Sequence, residues 1–262
     1  MAIRNEQNAQ RLPHYAAVVR CLLVLLGCFA IWWGWVVFPD FWQQSSAERV
    51  AKRIIAGESF KPEILTVQLA ALSNSEPAEF CRPAALQSAA IIKLHIAETA
   101  SNGAIRRDEH LNLLDDAIRS SLSCAPADPF LWLVLFVVEG VNHGYKPEYL
   151  NFLRMSYALG PYEGWILERR NPVTIAELER LPPDLAAKAV DEFMRLLSDR
   201  FYQRAVDVFC GTTPARRNLI LPKMVTLPLD LREAFARSVY DCGLDVKVPG
   251  VEPSPSRRPW ER

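Results

Sequence analysis

The chain has 262 residues, half of them hydrophobic, with 30 basic and 30 acidic side chains and a formal net charge of zero. A balanced charge with no lysine and arginine stripe excludes the electrostatic footprint of a nucleic-acid binder. The apolar half excludes disorder for the bulk of the chain, and the length suits one ordinary domain with an appendage.

The appendage is a membrane anchor. From Cys21 to Pro39 the chain reads CLLVLLGCFAIWWGWVVFP without a charge, enough helix at about 1.5 Å per residue to approach the ~30 Å hydrocarbon core of a bilayer. Residues 16–39 are therefore expected to form a single transmembrane helix. Arg4, Arg11 and Arg20 stand before it against Glu6 alone, and Asp40 follows it. By the positive-inside bias, residues 1–15 are cytoplasmic and the remainder lies outside the cytoplasm. Trp32, Trp33, Trp35 and Trp42 crowd the outer half, where amphipathic rings anchor at the headgroup level. A cleaved signal sequence is the competing reading, with Ser45-Ser46-Ala47 as its small-residue cleavage site. The apolar run is longer than the ~7–15 residues of a secretory core and carries three tryptophans, which favours an uncleaved anchor.

Cys21 and Cys28 belong to that run, which leaves Cys81, Cys124, Cys210 and Cys242 in the body without a CxxC spacing. Outside the cytoplasm such cysteines read as structural disulfides. A helix expected from Pro83 toward Asn102 starts just after Cys81, and one starting near Arg107 ends at Cys124. A hairpin of the two brings those cysteines together, favouring Cys81 with Cys124 and leaving Cys210 with Cys242. The alternative is four buried thiols, since cysteine is also a small core residue.

Strand signals are nearly absent, and helical periodicity is plentiful. Leu231, Ala234, Phe235, Ser238, Val239 and Cys242 mark one helical face, closed by Gly243 where a C′ glycine belongs. Leu185, Ala189, Val190, Phe193, Leu196 and Leu197 mark another. Pro62, Pro83, Pro129, Pro147, Pro183, Pro214 and Pro228 each open a helical stretch, where the missing N–H costs nothing. Helices are expected over 46–57, 62–73, 83–101, 107–123, 129–142, 147–159, 163–170, 183–199, 201–210, 214–221 and 229–242. Phe130 to Val138 is apolar on all sides and too short to span, so it reads as a central buried helix.

Set against itself at an offset of 35, the segment from Ala117 aligns with the segment from Phe152. Arg119 meets Arg154, Ser121 meets Ser156, Pro126 meets Pro161, and Phe130 meets Trp165. This spacing resembles the tetratricopeptide repeat, although two unrelated proline turns would look the same. The fold expected is all-α, a transmembrane helix followed by a tetratricopeptide-like stack of antiparallel helix pairs over 43–245. A flexible Pro/Arg-rich tail is expected over 246–262.

No chemistry-bearing motif stands out. His14, His95, His110 and His143 lack metal-ligand spacing, and there is no phosphate-binding loop or nucleophile elbow. Asp108, Glu109, His110, Asp115 and Asp116 read as the solvated face of one helix. No catalytic residue, cofactor or metal site is expected. A lytic transglycosylase would need one glutamate of raised pKa, with Glu139 or Glu163 as candidates, but its Glu-Ser and Gly-Leu-Met-Gln signatures are missing. The stretch GPYEGWILERRNP, Gly160 to Pro172, has the aromatic and charged composition of a binding hot spot. Its candidate contacts are Tyr162, Glu163, Trp165, Glu168, Arg169 and Arg170. Trp165 is also read as a core anchor, and Arg169 and Arg170 as caps on a helix carbonyl end.

LRMSYALGPYEGWILERRNP, with LPPDLAAKAVDEFMRLL and a late LDVKVPG, resembles a group of small alphaproteobacterial proteins with one membrane helix and a tetratricopeptide-like exported domain. The resemblance covers most of residues 80–250 and supplies no site residues. It implies an inner-membrane location and protein partners among exopolysaccharide or O-antigen polymerisation and export machinery. The resulting expectation is a non-enzymatic periplasmic adaptor. An accessory subunit of another inner-membrane complex is the second reading.

Overall fold

A computed structural model describes residues 6–74, 81–99 and 104–252, with side chains described over 16–36, 46–72, 81–99 and 108–252. Every regular element among the described residues is helical. The chain divides into two compact units, Met1–Ala125 and Pro126–Arg262, where the sequence pointed to one body over 43–245.

In the first unit, α1 (Glu6–Ile55) is one uninterrupted helix. Its segment Ala16–Val36 is 21 residues long and wholly exposed, about 31 Å of apolar helix at about 1.5 Å per residue. That is long enough to cross a membrane. The expected separate helix at 46–57 is instead the continuation of the span. Pro39 does not break it, although a mid-helix proline removes an i→i−4 hydrogen bond. Trp32, Trp33 and Trp35 are exposed. Trp42 and residues 1–15, like the tail from 253 onward with Arg257 and Arg258, lie outside the described side chains.

Beyond the span, Ala47, Ala51 and Ile54 of α1 are buried. Here α1 packs with α2 (Pro62–Asn74) and α3 (Pro83–Thr99), and α3 packs with α4 (Ala104–Cys124). Small residues at Ala47, Ala51 and Ala90 let the backbones approach, and Leu65, Ile91, Ile92, Leu114 and Ile118 are buried within the unit. The disulfide Cys81–Cys124, with Cα atoms 5.7 Å apart, ties the start of α3 to the end of α4. This is the pairing that a hairpin of those helices demands. Asp108, Glu109 and Asp116 are exposed, and Asp115 holds Arg119 at 2.7 Å, an ordinary pair one turn apart.

The second unit begins with α5 (Pro129–His143). Asp128 caps it by accepting from Phe130 N and Leu131 N, a contact worth about 1 kcal/mol. Its apolar run is buried at Phe130, Leu131, Leu133 through Phe136 and Val138. A 3₁₀ turn at Pro147–Tyr149 leads into α6 (Leu150–Leu159). Then follow α7 (Gly164–Ala176), α8 (Pro183–Ser198), α9 (Tyr202–Gly211), α10 (Pro214–Ile220) and α11 (Leu229–Asp241), with a second 3₁₀ turn at Leu221–Thr226. Neighbours in sequence pair, α5 with α6, α7 with α8 and α8 with α9. Alternate helices also meet, α5 with α7, α7 with α9 and α9 with α11.

That unit's core centres on Phe193, Phe209 and Phe235, each fully buried, with ring centroids 5.0 to 6.4 Å apart. The disulfide Cys210–Cys242, Cα atoms 6.3 Å apart, fastens the end of α9 to the residue after α11. Gly243 takes φ +81°, the left-handed conformation that ends a helix without a Cβ penalty. The segment expected to be free from residue 246 is docked at its start. Val248 is 2% exposed, Val246 and Val251 pack on the core, and Arg232 Nη1 donates to Pro249 O at 2.5 Å.

Candidate functional site

The α6–α7 joint carries the stretch singled out in the sequence. Gly160 is its pivot: an added Cβ would lie 2.8 Å from Pro129 Cβ and Cγ, so only glycine lets α6 end against the start of α5. Gly160→Ala is expected to destabilise the fold by about 1–3 kcal/mol through overpacking, read as a lower urea midpoint with an unchanged slope.

Beyond the pivot, Tyr162 is 76% exposed and Glu163 is the exposed N-cap residue of α7, with no side-chain cap hydrogen bond. Trp165 is 36% exposed, its ring tilted on Phe130 with centroids 5.3 Å apart. It is thus both a packing anchor and a partial surface, and the two rings aligned at offset 35 are in contact. Glu168 is half-buried, and the Arg169 guanidinium sits 5.8 Å from the Phe130 centroid. Expected to close at Arg170, α7 runs on through Pro172 to Ala176.

Arg170 is not a surface contact. It is fully buried, on the face formed by Ile166, Leu167, Arg170, Asn171, Thr174 and Ile175. Its Nε and Nη2 donate to Glu192 Oε1 at 2.9 and 2.7 Å. Nη1 reaches Ser156 O at 2.8 Å and Ser156 Oγ at 3.2 Å, and Nη2 also reaches Gly160 O at 3.0 Å. The whole donor fork of the guanidinium is thus engaged. It does cap carbonyls at a helix end, but those of α6 and the residue after it rather than of its own helix.

Tyr157 and Glu192 complete this interior network. The guanidinium lies 4.0 Å from the Tyr157 ring centroid, and Tyr157 OH donates to Glu192 Oε2 at 3.2 Å. Burial pushes the Tyr157 phenol up, reinforced by the Glu192 charge, so it stays a donor. Burial also pushes the Glu192 carboxyl up, with Arg170 opposing. Asn171 Nδ2 donates to Ala189 O at 2.9 Å. This network joins α6, α7 and α8 and faces no solvent, so its work is structural.

The two glutamates named as alternative glycan-cleaving acids stand in different surroundings. Glu139 is 7% exposed and holds His143 Nδ1 at 2.9 Å. Glu163, at the start of α7, is exposed. The chain matches no protein-family model, no curated protein and no solved structure.

The surface beside the joint was missed by sequence reasoning. Arg195, near the end of α8, donates from Nη1 to Pro161 O at 3.0 Å, and its guanidinium lies 4.7 Å from the Tyr162 centroid. Arg200 lies 5.0 Å over Phe201, whose ring edge is 2.9 Å from the position of a Cβ on Gly164. The α6–α7 and α8–α9 joints are therefore neighbours at one end of the second unit. The periodicity of α8 marks Arg195 as outward-facing, but nothing in the sequence ties it to Tyr162.

Proposed function

We propose that this chain is a non-enzymatic, membrane-anchored scaffold of the periplasm. In this reading it is a single-pass inner-membrane protein with a cytoplasmic amino terminus, and its helical body is a tetratricopeptide-like stack that holds protein partners. The observation that carries the reading is the continuity of α1: one helix leaves an apolar, wholly exposed span and ends among the buried residues of a helical body. Such a body has its position fixed by the bilayer, which raises the effective concentration of whatever it binds without any reaction.

Further support comes from the two disulfides, which belong to an oxidising compartment. The alternate-helix contacts of α5, α7, α9 and α11 accord with a repeat stack in which each unit buries a face against the next. The partner class, envelope-polysaccharide polymerisation or export machinery, rests on the sequence resemblance.

The test is gentle detergent extraction of the full chain with a carboxy-terminal tag, followed by mass spectrometry of what stays bound. Recovery of polysaccharide polymerase or export subunits is the expected result. Recovery of subunits of a different inner-membrane complex would favour the accessory-subunit reading. Glycan cleavage by the purified chain, abolished by Glu139→Gln or Glu163→Gln, would overturn the non-enzymatic assignment.

A further inference from the structure

We infer that the end of the second unit where the α6–α7 and α8–α9 joints meet is a docking surface for an acidic segment of a protein partner. This rests on the scaffold reading and adds the chemistry of what is held.

Arg195 and Arg200 are exposed, and neither forms an ion pair among the described residues. Each is held over a ring, Arg195 over Tyr162 and Arg200 over Phe201. A guanidinium placed in this way has lost much of its freedom before a partner arrives, so less ordering is needed on binding. Arg204, one turn further along α9, is exposed and likewise unpaired.

The backbone adds to this field. Helices α7, 13 residues long, and α9, 10 residues long, both start at this end, and neither has a side-chain hydrogen bond to its first turn. Tyr202 N–H already donates to Asp199 O at 3.1 Å, and the N–H groups of Gly164 and Trp165 on α7 and of Gln203 and Arg204 on α9 offer donors and partial positive charge to a carboxylate. The acidic groups at this end are Glu163, Glu168 and Asp199. Asp199 Oδ1 already accepts the Arg200 N–H at 2.8 Å, and Glu168 is half-buried. The outward donors therefore outweigh the outward acceptors.

A peptide fits better than a glycan. Sugar rings stack on bare aromatic faces, and here the Tyr162 and Phe201 rings each have one face covered by a guanidinium. Trp165 is turned onto Phe130. What remains is an array of N–H donors among ring edges and one exposed phenol, a combination of Arg, Tyr and Trp that is enriched at protein hot spots.

The test uses the full chain in nonionic detergent and follows the fluorescence anisotropy of a labelled glutamate decapeptide. Saturable binding is expected, weakened about tenfold or more in the double variant Arg195→Ala/Arg200→Ala and by added salt. Arg237→Ala, on the exposed face of α11, should leave it unchanged, and all variants should keep the wild-type thermal midpoint. No saturable binding, or equal binding by the double variant, would overturn the inference. So would a polygalacturonate oligomer of equal charge that binds as tightly and loses as much, since the ligand would then be a glycan. Should partners still co-purify with the double variant, this surface fails while the scaffold reading stands.

Discussion

Replacing Arg170 by alanine should cost about 3–5 kcal/mol of stability, the usual penalty for removing one partner of a buried ion pair. Five hydrogen bonds leave with the guanidinium, and Glu192, 3% exposed, keeps a charge with no counterion. Denaturation in urea reads the loss directly. The loss should depend on pH in a stated direction. Burial holds the Glu192 carboxyl above its ordinary value, and without Arg170 only the weaker opposition of Tyr157 and Asn171 remains. A group with a raised folded-state pKa stabilises the fold fully below its unfolded pKa, and that contribution disappears as pH rises through the folded value. The penalty in Arg170→Ala should therefore be largest at neutral pH and shrink as pH falls toward the ordinary carboxylate range. The double variant Arg170→Met/Glu192→Leu should recover most of the stability, since an apolar pair of similar volume requires no buried charge. A single-variant loss below about 1 kcal/mol would mean that water reaches the pair.

Removing the Cys210–Cys242 disulfide should cost about 2–5 kcal/mol. The sequence separation is 32 residues, for which the chain-entropy expression gives about 4 kcal/mol. The bond fastens α9 to the end of α11, and Phe209 and Phe235, which these helices contribute, pack edge-on at 5.0 Å. In Cys210→Ser/Cys242→Ser the carboxy-terminal helix keeps its apolar contacts but loses its covalent tie. The variant should melt well below the wild type in nonreducing buffer. Reductant should lower the wild-type midpoint and leave a variant lacking all four body cysteines unmoved. Equal midpoints with and without reductant would show that the bonds carry no stability.

Much of this architecture is legible in the sequence because the cues are local. Prolines at Pro62, Pro83, Pro129, Pro183 and Pro214 open helices because a first-turn N–H has no intrahelical partner anyway. The pairing of Cys81 with Cys124 follows from one geometric premise, that two adjacent helices form a hairpin. Continuity of α1 from the span to Ile55 is not legible in this way. Pro39 and the polar run after it mark a boundary in composition, while the backbone bridges it as one helix.

At the candidate site, residue type misled where periodicity would have served. Arg170 looked like a surface contact because arginine is mostly exposed. Yet it stands three positions after Leu167 and four before Thr174, on the buried stripe of α7. Glu192 likewise falls on the stripe of Leu185, Ala189, Phe193 and Leu196. An arginine and a glutamate each lying on an apolar stripe of successive helices is the signal for a buried pair, since neither could be buried alone. The approach of Arg195 to Tyr162 spans 33 positions and depends on how α8 packs, so no local pattern announces it.

The central claim is that α1 holds the body outside the cytoplasm, and one measurement addresses it most directly. Spheroplasts from cells making the full chain with an epitope after Arg262 are treated with protease, and membranes are then probed for the epitope. The account predicts that the epitope disappears from intact spheroplasts while a cytoplasmic marker survives. An epitope protected until the membrane is lysed would put the body in the cytoplasm and contradict the account.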